Sequence, residues 1–507
     1  MEKTLEQKAF IENLAFGGDS IQLSAVAGSG KTTTLMLGLE GVLVPYEKVL
    51  LLAFNVKIKE ELAKRAPRGC NVLTLNGLGH RAWMRHTGKK LFLNARKVGN
   101  IVSLLCKDPN DKERNAYLQG LWPDIKDLVN KAKAVGLLPA QFTQGKGLVH
   151  DNEAQWRALA QRHSIEFSED ILRLAKKALI TSTTMALGGE IDFEDQLYMP
   201  ACFRSNLDKY GLVLVDEAQD LSEIQHFLIS RCVAPDGRLI SVGDPHQAIY
   251  GFRGALSDSM PALASRFNSI ELKLTYTFRC SKAATLEAQR YVPHIKAAEG
   301  NLPGSVRRLG TEWKPQDIEA GSVVLCRNIA PLVKLGMQFI KAGISAYVAG
   351  RDIGAPLIKA AKHLNEFKNP HDAIVEWNHL ELKKAEGNLE TISLINDHTE
   401  ALLSVMEVSN AKSSRDLVNT LQILFAKTTG SIVLSTIHRA KGLEWDSVYI
   451  LDFWRIPQKW ILKAVKASPD AEWMLGQEKN LAYIAVTRTK DKLTFIDYAE
   501  KETPNGS

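Results

Sequence analysis

The stretch "SAVAGSGKTTTL", residues 24–35, decides how this chain is read. Three small residues, Gly28, Ser29 and Gly30, stand directly before Lys31 and a run of threonines. One reading is a flexible turn ahead of an ordinary helix. The other is a phosphate cradle. There, backbone N–H groups point at phosphate oxygens, glycines permit close approach, and a helix N-terminus adds a favourable dipole. The lysine of such a loop reaches the outer phosphates and the next hydroxyl binds Mg2+. "AVAGSGKT" supplies Gly30, Lys31 and Thr32 in that order, with Ala25 where the pattern GxxxxGK[ST] has its first glycine. "SIQLSAV" (20–26) reads as a short buried strand and "TTTLMLGLEGVL" (32–43) as a helix, so the loop falls between the two.

A cradle of this kind needs an acid at the end of another strand to hold the metal. "LVLVDEAQD" offers Asp216 after four apolar residues. Its carboxylate is expected at the strand's carboxyl end, the usual ligand crevice of such sheets. Glu217 beside it can serve as general base for an attacking water. An exposed acidic turn is the alternative for this stretch alone. Taken with Lys31, it points to ATP hydrolysis, with Thr32 and Asp216 as the metal-binding pair.

Working outward, "KVLLLAF" (48–54), "YGLVLVDEAQD" (210–220) and "GRLISVGD" (237–244) are further apolar runs of strand length. A second series follows with "SVVLCR", "SAYVAG", "SIVLSTIH", "SVYILDF" and "KLTFIDY". Short apolar runs alternating with helical patterns predict parallel sheets with crossover helices. Two α/β units are expected, the first ending near Phe278. Residues 89–190 and 352–428 break the pattern and read as mainly helical insertions. The tail "KETPNGS" is expected to fray.

Composition sets wide bounds. With 507 residues, roughly three or four domain-sized units are expected. A net charge of +7 and a pI near 8.9 permit a polyanionic partner without demanding one. The six cysteines form no CxxC pair and the twelve histidines no HExxH, which argues against zinc, iron–sulfur and disulfide frameworks. No segment approaches the roughly 18 apolar residues of a membrane span, and the N-terminus lacks a signal-peptide core. A cytoplasmic protein is expected, nucleoid-associated if bacterial or viral and nuclear if eukaryotic.

Nine segments occur in one order from about residue 25 to 495. They are "AVAGSGKT", "LLAFNVKIKEELAKR", "LTLNGLGHRAW", "IDFEDQLYMP", "LVLVDEAQD", "SVGDPHQAIYGFRGA", "LTYTFRCS", "STIHRAKGLEWDSV" and "NLAYIAVTRTKDKL". In these the chain resembles superfamily 1 helicases of the UvrD/Rep/PcrA type and, within them, the F-box helicase branch. The resemblance implies two RecA-like P-loop domains with parallel sheets, each carrying a mainly helical insertion. The first domain would hold 1–88 and 191–278 around the insertion 89–190. The second would hold 279–351 and 429–507 around the smaller insertion 352–428. An alanine at position 25 is usual in that family.

The family's roles carry over where its motifs match. Ala25, Val26, Ala27, Gly28, Ser29, Gly30, Lys31, Thr32 and Thr33 would line the nucleotide. Gln7 would recognise adenine edges, Phe278 would stand in for an adenine-stacking tyrosine, and Glu444 would contact the ribose. Gln247 would sense the γ-phosphate, with Arg279 and Arg488 as arginine fingers. A guanidinium at the γ-phosphoryl group is worth orders of magnitude in rate. If those arginines come from the second unit, ATP gains contacts in a closed state alone, which lets it drive a conformational change.

A motor also needs a track. Tyr250, Phe252 and Arg253 lie within four residues, and aromatic rings stack on any base at about 1–3 kcal/mol each. Without the family such a cluster also fits a packed corner. The resemblance adds Phe54, Asn55, Asn76 and His438 as nucleic-acid contacts, Asn76 standing where the family often has histidine. It implies single-stranded DNA and single/double-strand junctions as partners, ATP and Mg2+ as cofactors, and 3′→5′ movement. Service in DNA repair, recombination or replication follows from the same resemblance. The insertion 352–428 is shorter than in UvrD-type enzymes. A translocase that strips bound proteins with weak unwinding is therefore the alternative, and a nucleotide-gated DNA-binding module without hydrolysis a third reading. No F-box segment is expected ahead of the motor and no nuclease domain after it.

Overall fold

The structure is a computed structural model. It describes residues 2–163, 165, 167–249, 258–366, 368–385, 389–426, 429–467 and 471–498, apart from the side chains of 351–353 and 384. The tail expected to fray lies outside them. Two units are distinguished: Met1–Val26 with Gly30–Thr275, and Ala27–Ser29 with Tyr276–Ser507.

The first unit is organised by a six-stranded sheet. Its spatial order is Asn71–Thr74, Val49–Ala53, Tyr210–Val215, Val233–Gly243, Ile21–Ala25, Ile270–Leu274. Every pairing is parallel. Val49–Ala53 is buried at all five positions, as a strand covered on both faces requires. Because all strands run one way, their carboxyl ends share one edge. Ala25, Ala53, Thr74, Val215 and Gly243 end there, and the expected site residues follow each of them.

The helical stretch after residue 89 does not build a core of its own. Helices Lys97–Leu105, Trp122–Ala134 and Glu169–Gly188 contribute Val102, Ile125 and Leu179 to a buried cluster that also contains Leu50, Leu52, Val213 and Val215 of the sheet. A fully buried ion cluster sits in the same region. Lys133 Nζ lies 2.6 Å from Asp192 and 2.8 Å from Asp195, and Lys97 pairs with Asp195. Burial pushes the Asp192 carboxyl up, to about 6, against the pull of Lys133.

The second unit repeats the plan. Its sheet runs Ser305–Gly310, Thr489–Ile496, Trp445–Leu451, Val323–Cys326, Ile432–Thr436, Ala346–Val348, again wholly parallel. Helices Arg351–Lys362, Pro370–Lys384, Leu389–Ser409 and Ser414–Ala426 intervene before Ile432–Thr436. Their Leu357, Ala401, Leu417 and Leu421 share a buried cluster with Val324 and Leu434. The expected α/β class with two parallel sheets is what the chain adopts.

In the two six-stranded sheets, three strands carry no apolar run and were not expected: Asn71–Thr74, Ile270–Leu274 and Ser305–Gly310. All three lie at sheet edges. An edge strand buries less of each face, so its hydrophobic signal is broken. The helix after the glycine-rich loop, Lys31–Leu39, also stops short of the expected "EGVL".

Gly79 and His226 test this packing. Helix Leu75–Thr87 crosses helix Asp195–Cys202, and a Cβ on Gly79 would fall 1.9 Å from the Gln196 carbonyl oxygen. Gly79→Ala is expected to cost about 3 kcal/mol, read by urea denaturation. His226 is buried, and its Nε2 lies 2.9 Å from Ser259 Oγ. Burial, with Arg266 adding to it and Asp258 opposing, pushes the imidazole down to about 4. The folded value lies below the ordinary value of about 6.5. Stability is therefore intact above that value and is lost as pH falls toward 4. His226→Gln should remove no more than about 3 kcal/mol of that pH-dependence in denaturation curves at pH 7 and 5.

Candidate functional site

The loop 25–33 is shaped for close approach. Ala25 ends its strand in extended pairing with Leu274, so alanine serves where the general pattern has glycine. Val26 N–H donates to the Leu274 carbonyl at 3.0 Å. Left-handed backbone occurs at Gly28 (φ +72°) and Gly30 (φ +73°), where a side chain is strained. Gly30 is the N-cap of helix Lys31–Leu39 and offers no side-chain cap. The first-turn N–H groups are thus left for an anion. Within the second unit, Phe278 N–H donates to the Gly28 carbonyl at 2.8 Å and Ala27 N–H to the Tyr483 hydroxyl at 3.0 Å.

Lys31 and the acids meet in the first unit. Lys31 Nζ lies 2.5 Å from Glu217 Oε1, with the two side chains 18% and 19% exposed. Thr32 Oγ1 donates to Asp216 Oδ2 at 3.3 Å. Burial opposes the charge on Lys31, but Glu217 and Asp216 outweigh it and hold the ammonium above its ordinary range. Burial pushes the Asp216 carboxyl up, against the pull of Lys31. Glu217 sits in left-handed backbone at φ +56°, uncommon for a non-glycine residue, and its N–H donates to Asp216 Oδ1 at 2.9 Å. Gln247 closes this side: its amide donates to Asp244 Oδ2 at 2.6 Å, and burial raises the Asp244 carboxyl.

One hydroxyl and one carboxylate oxygen 3.3 Å apart fit a hard cation that keeps waters and phosphate oxygens, as Mg2+ does. Among the described residues no group of three or more His, Cys, Asp or Glu side chains is disposed to hold a metal.

Gln7 adjoins the loop. Its amide nitrogen donates to Thr34 Oγ1 at 3.2 Å, its carbonyl oxygen caps its own helix at Thr4 N–H, and a Cβ on Gly30 would lie 3.7 Å away. Thr33 Oγ1 accepts from Arg65 at 3.0 Å.

Phe54, Asn55 and Asn76 follow strand ends. Phe54 is half-buried and Asn55 exposed, the latter capping helix Val56–Arg65 through Ile58 N–H. Asn76 directs its amide nitrogen to the Phe193 carbonyl at 2.9 Å and to Gln196 Oε1 at 3.0 Å. Phe193, not singled out by sequence, is 52% exposed beside it. It lies in "IDFEDQLYMP", where its aromatic character was the available signal. Tyr250, Phe252 and Arg253 lie outside the described residues.

In the second unit Arg279 and Glu444 meet directly, Arg279 Nε lying 2.6 Å from Glu444 Oε2. Burial opposes it, but Arg279 and Lys490 hold the Glu444 carboxyl below its ordinary value. Arg488 is 1% exposed and donates to the Ile484 and Leu443 carbonyls at 3.0 and 3.1 Å. Phe278 is half-buried. His438 is half-buried on the short helix Ile437–Ala440.

Comparison with known proteins fits this plan. Residues 5–268 match the UvrD/REP helicase N-terminal domain and residues 192–501 the UvrD-like helicase C-terminal domain. The chain is 26% identical to F-box DNA helicase protein 1 of Schizosaccharomyces pombe, over 98% of its own length and 58% of that protein's. It is 22% identical to the probable DNA helicase II homolog of Rickettsia felis, over 94% and 90% of the two lengths. With ATP-dependent DNA helicase UvrD2 of Mycobacterium tuberculosis it shares 23% identity over 62% and 52%. The family uses ATP, generally with Mg2+, and acts on DNA. Among the described residues no helix is long and apolar enough to cross a membrane. With both domain families matched across nearly the whole chain and the phosphate loop facing its acids, the protein belongs to the UvrD-like superfamily 1 helicases.

Proposed function

We propose that this chain is an ATP-dependent DNA helicase that moves 3′→5′ along single-stranded DNA and opens duplexes at single/double-strand junctions. The observation that carries the reading is the meeting of Lys31 with Glu217 at 2.5 Å and of Thr32 with Asp216 at 3.3 Å, at the carboxyl edge of a parallel sheet.

The loop N–H groups and Lys31 would bind the outer phosphates, and Thr32 and Asp216 would hold Mg2+. Mg2+, when bound, neutralises developing charge on the phosphoryl oxygens. When phosphate takes Lys31, Glu217 Oε1 is released from the ion pair and can accept a proton from the attacking water. Gln247, beside Asp244, senses the γ-phosphate. Arg279 must exchange Glu444 for the nucleotide to act as an arginine finger, and Arg488 must likewise leave its carbonyl partners. Phe54, Asn55, Asn76 and His438 contact the strand, joined by Tyr250, Phe252 and Arg253. The short helical stretch before Ile432–Thr436 supports the second reading, a translocase that displaces bound proteins and unwinds weakly.

Lys31→Ala is expected to abolish ATP hydrolysis while leaving much single-strand binding, read by phosphate release and fluorescence anisotropy. Full activity in that variant removes the site assignment. Duplexes with 3′ or 5′ tails, assayed beside streptavidin displacement from single strands, should show 3′-tail unwinding. Displacement without unwinding selects the translocase, and a 5′-tail preference reverses the polarity.

A further inference from the structure

Gln219 stands in the acidic turn that follows Tyr210–Val215. Its side chain is 2% exposed. The amide nitrogen donates to Glu217 Oε2 at 2.5 Å and lies 3.4 Å from Asp220 Oδ2. The amide oxygen accepts the Asp244 backbone N–H at 3.1 Å. Asp244 in turn receives the Gln247 amide at 2.6 Å. One buried side chain therefore bridges the general base to the turn that carries the γ-phosphate sensor.

Space is reserved for this bridge. A Cβ on Gly243 would fall 2.3 Å from Gln219 Oε1 and 2.9 Å from Met260 Sδ. Gly243 is not among the glycines in left-handed backbone, so the position needs a glycine for room rather than for its backbone angles.

We propose that Gln219 is a positioning residue that anchors Glu217 Oε2 to the turn 244–247, so that Oε1 alone is presented to the attacking water. The proposal rests on the ATP-hydrolysis reading above. Lys31 holds Oε1 at 2.5 Å and leaves it when phosphate arrives. The Gln219 bond involves no group that binds phosphate, so it survives that exchange. A carboxylate with one oxygen tied keeps its aim, and a general base works only within hydrogen-bond reach of its proton. The donor is a neutral amide, which holds the carboxylate without competing for the proton.

The test uses the full chain as wild type, Gln219→Met, Gln219→Glu and Gly243→Ala. ATP hydrolysis is measured on saturating oligo(dT), and nucleotide affinity with a fluorescent ATP analogue. In Gln219→Met and Gly243→Ala, kcat should fall at least about ten-fold, because the base loses its aim. KM for ATP and analogue affinity should stay within about two-fold. Gly243→Ala is informative because Glu217 and Gln219 are both retained while the added methyl displaces their bridge, with Met260 Sδ also having to move. Gln219→Glu keeps an acceptor for Asp244 N–H but sets a like charge against Glu217, so it should show the same split. Wild-type kcat in Gln219→Met and Gly243→Ala, with Lys31→Ala inactive, overturns the positioning role and leaves the hydrolytic site standing. Parallel losses of kcat, analogue affinity and thermal melting temperature in all three variants also overturn it, since a structural role explains them. Absence of hydrolysis in the wild type overturns the parent reading instead.

Discussion

The ion pair between Lys31 and Glu217 is the contact on which the first unit's chemistry turns. Asp216 and Asp244 are buried beside it, and each carboxylate is pushed toward its neutral form by the loss of water. Lys31 supplies positive charge against that tendency. Two unit charges 4 Å apart at the edge of a protein interact by about 4 kcal/mol, so the ammonium opposes the loss of charge on the acids around it. Under the proposed function, a phosphate group would compete for Lys31 and release Glu217 Oε1 from the ion pair, so that binding and the creation of a base would be one event.

Buried charge needs a partner elsewhere in the chain as well, and those partners tie helices to neighbouring segments. Lys97 and Lys133, from the helical stretch of the first unit, meet Asp192 and Asp195 on either side of Phe193. In the second unit Asp397, on helix Leu389–Ser409, accepts the backbone N–H groups of Ile329 and Ala330 at 2.9 and 3.0 Å. Arg327 meets Glu478 at 2.8 Å, with 16% and 6% of the side chains exposed. Such clusters add little net stability over apolar packing, but removing one partner is costly. Their effect is to fix where the helices dock. The Phe193 turn, which faces solvent beside Asn76, is held in place by one of them.

The helical stretches also explain their own weak sequence signal. Each shares a hydrophobic cluster with its sheet instead of closing around a separate core. Their apolar residues are spent on long-range packing, so local composition marks them as helical and polar without showing what they cover.

The sequence by itself determined the central strands and the residues at their carboxyl ends. "VLLLA" and "YGLVLV" are buried throughout or nearly so, and a continuous apolar run is the local signature of that environment. Parallel pairing then obliges Lys31, Asp216 and Glu217 to share an edge, so much of the candidate site was legible. Three of the four edge strands of the two six-stranded sheets were not, because partial burial breaks the run. Nor could spacing reveal that Gln219 bridges Glu217 to Asp244, that Asn76 holds the Phe193 carbonyl, or that Arg279 pairs with Glu444 across 165 positions. Those contacts follow from where folding brings distant backbone and side-chain atoms together. Only the tertiary structure decides which buried polar group answers which.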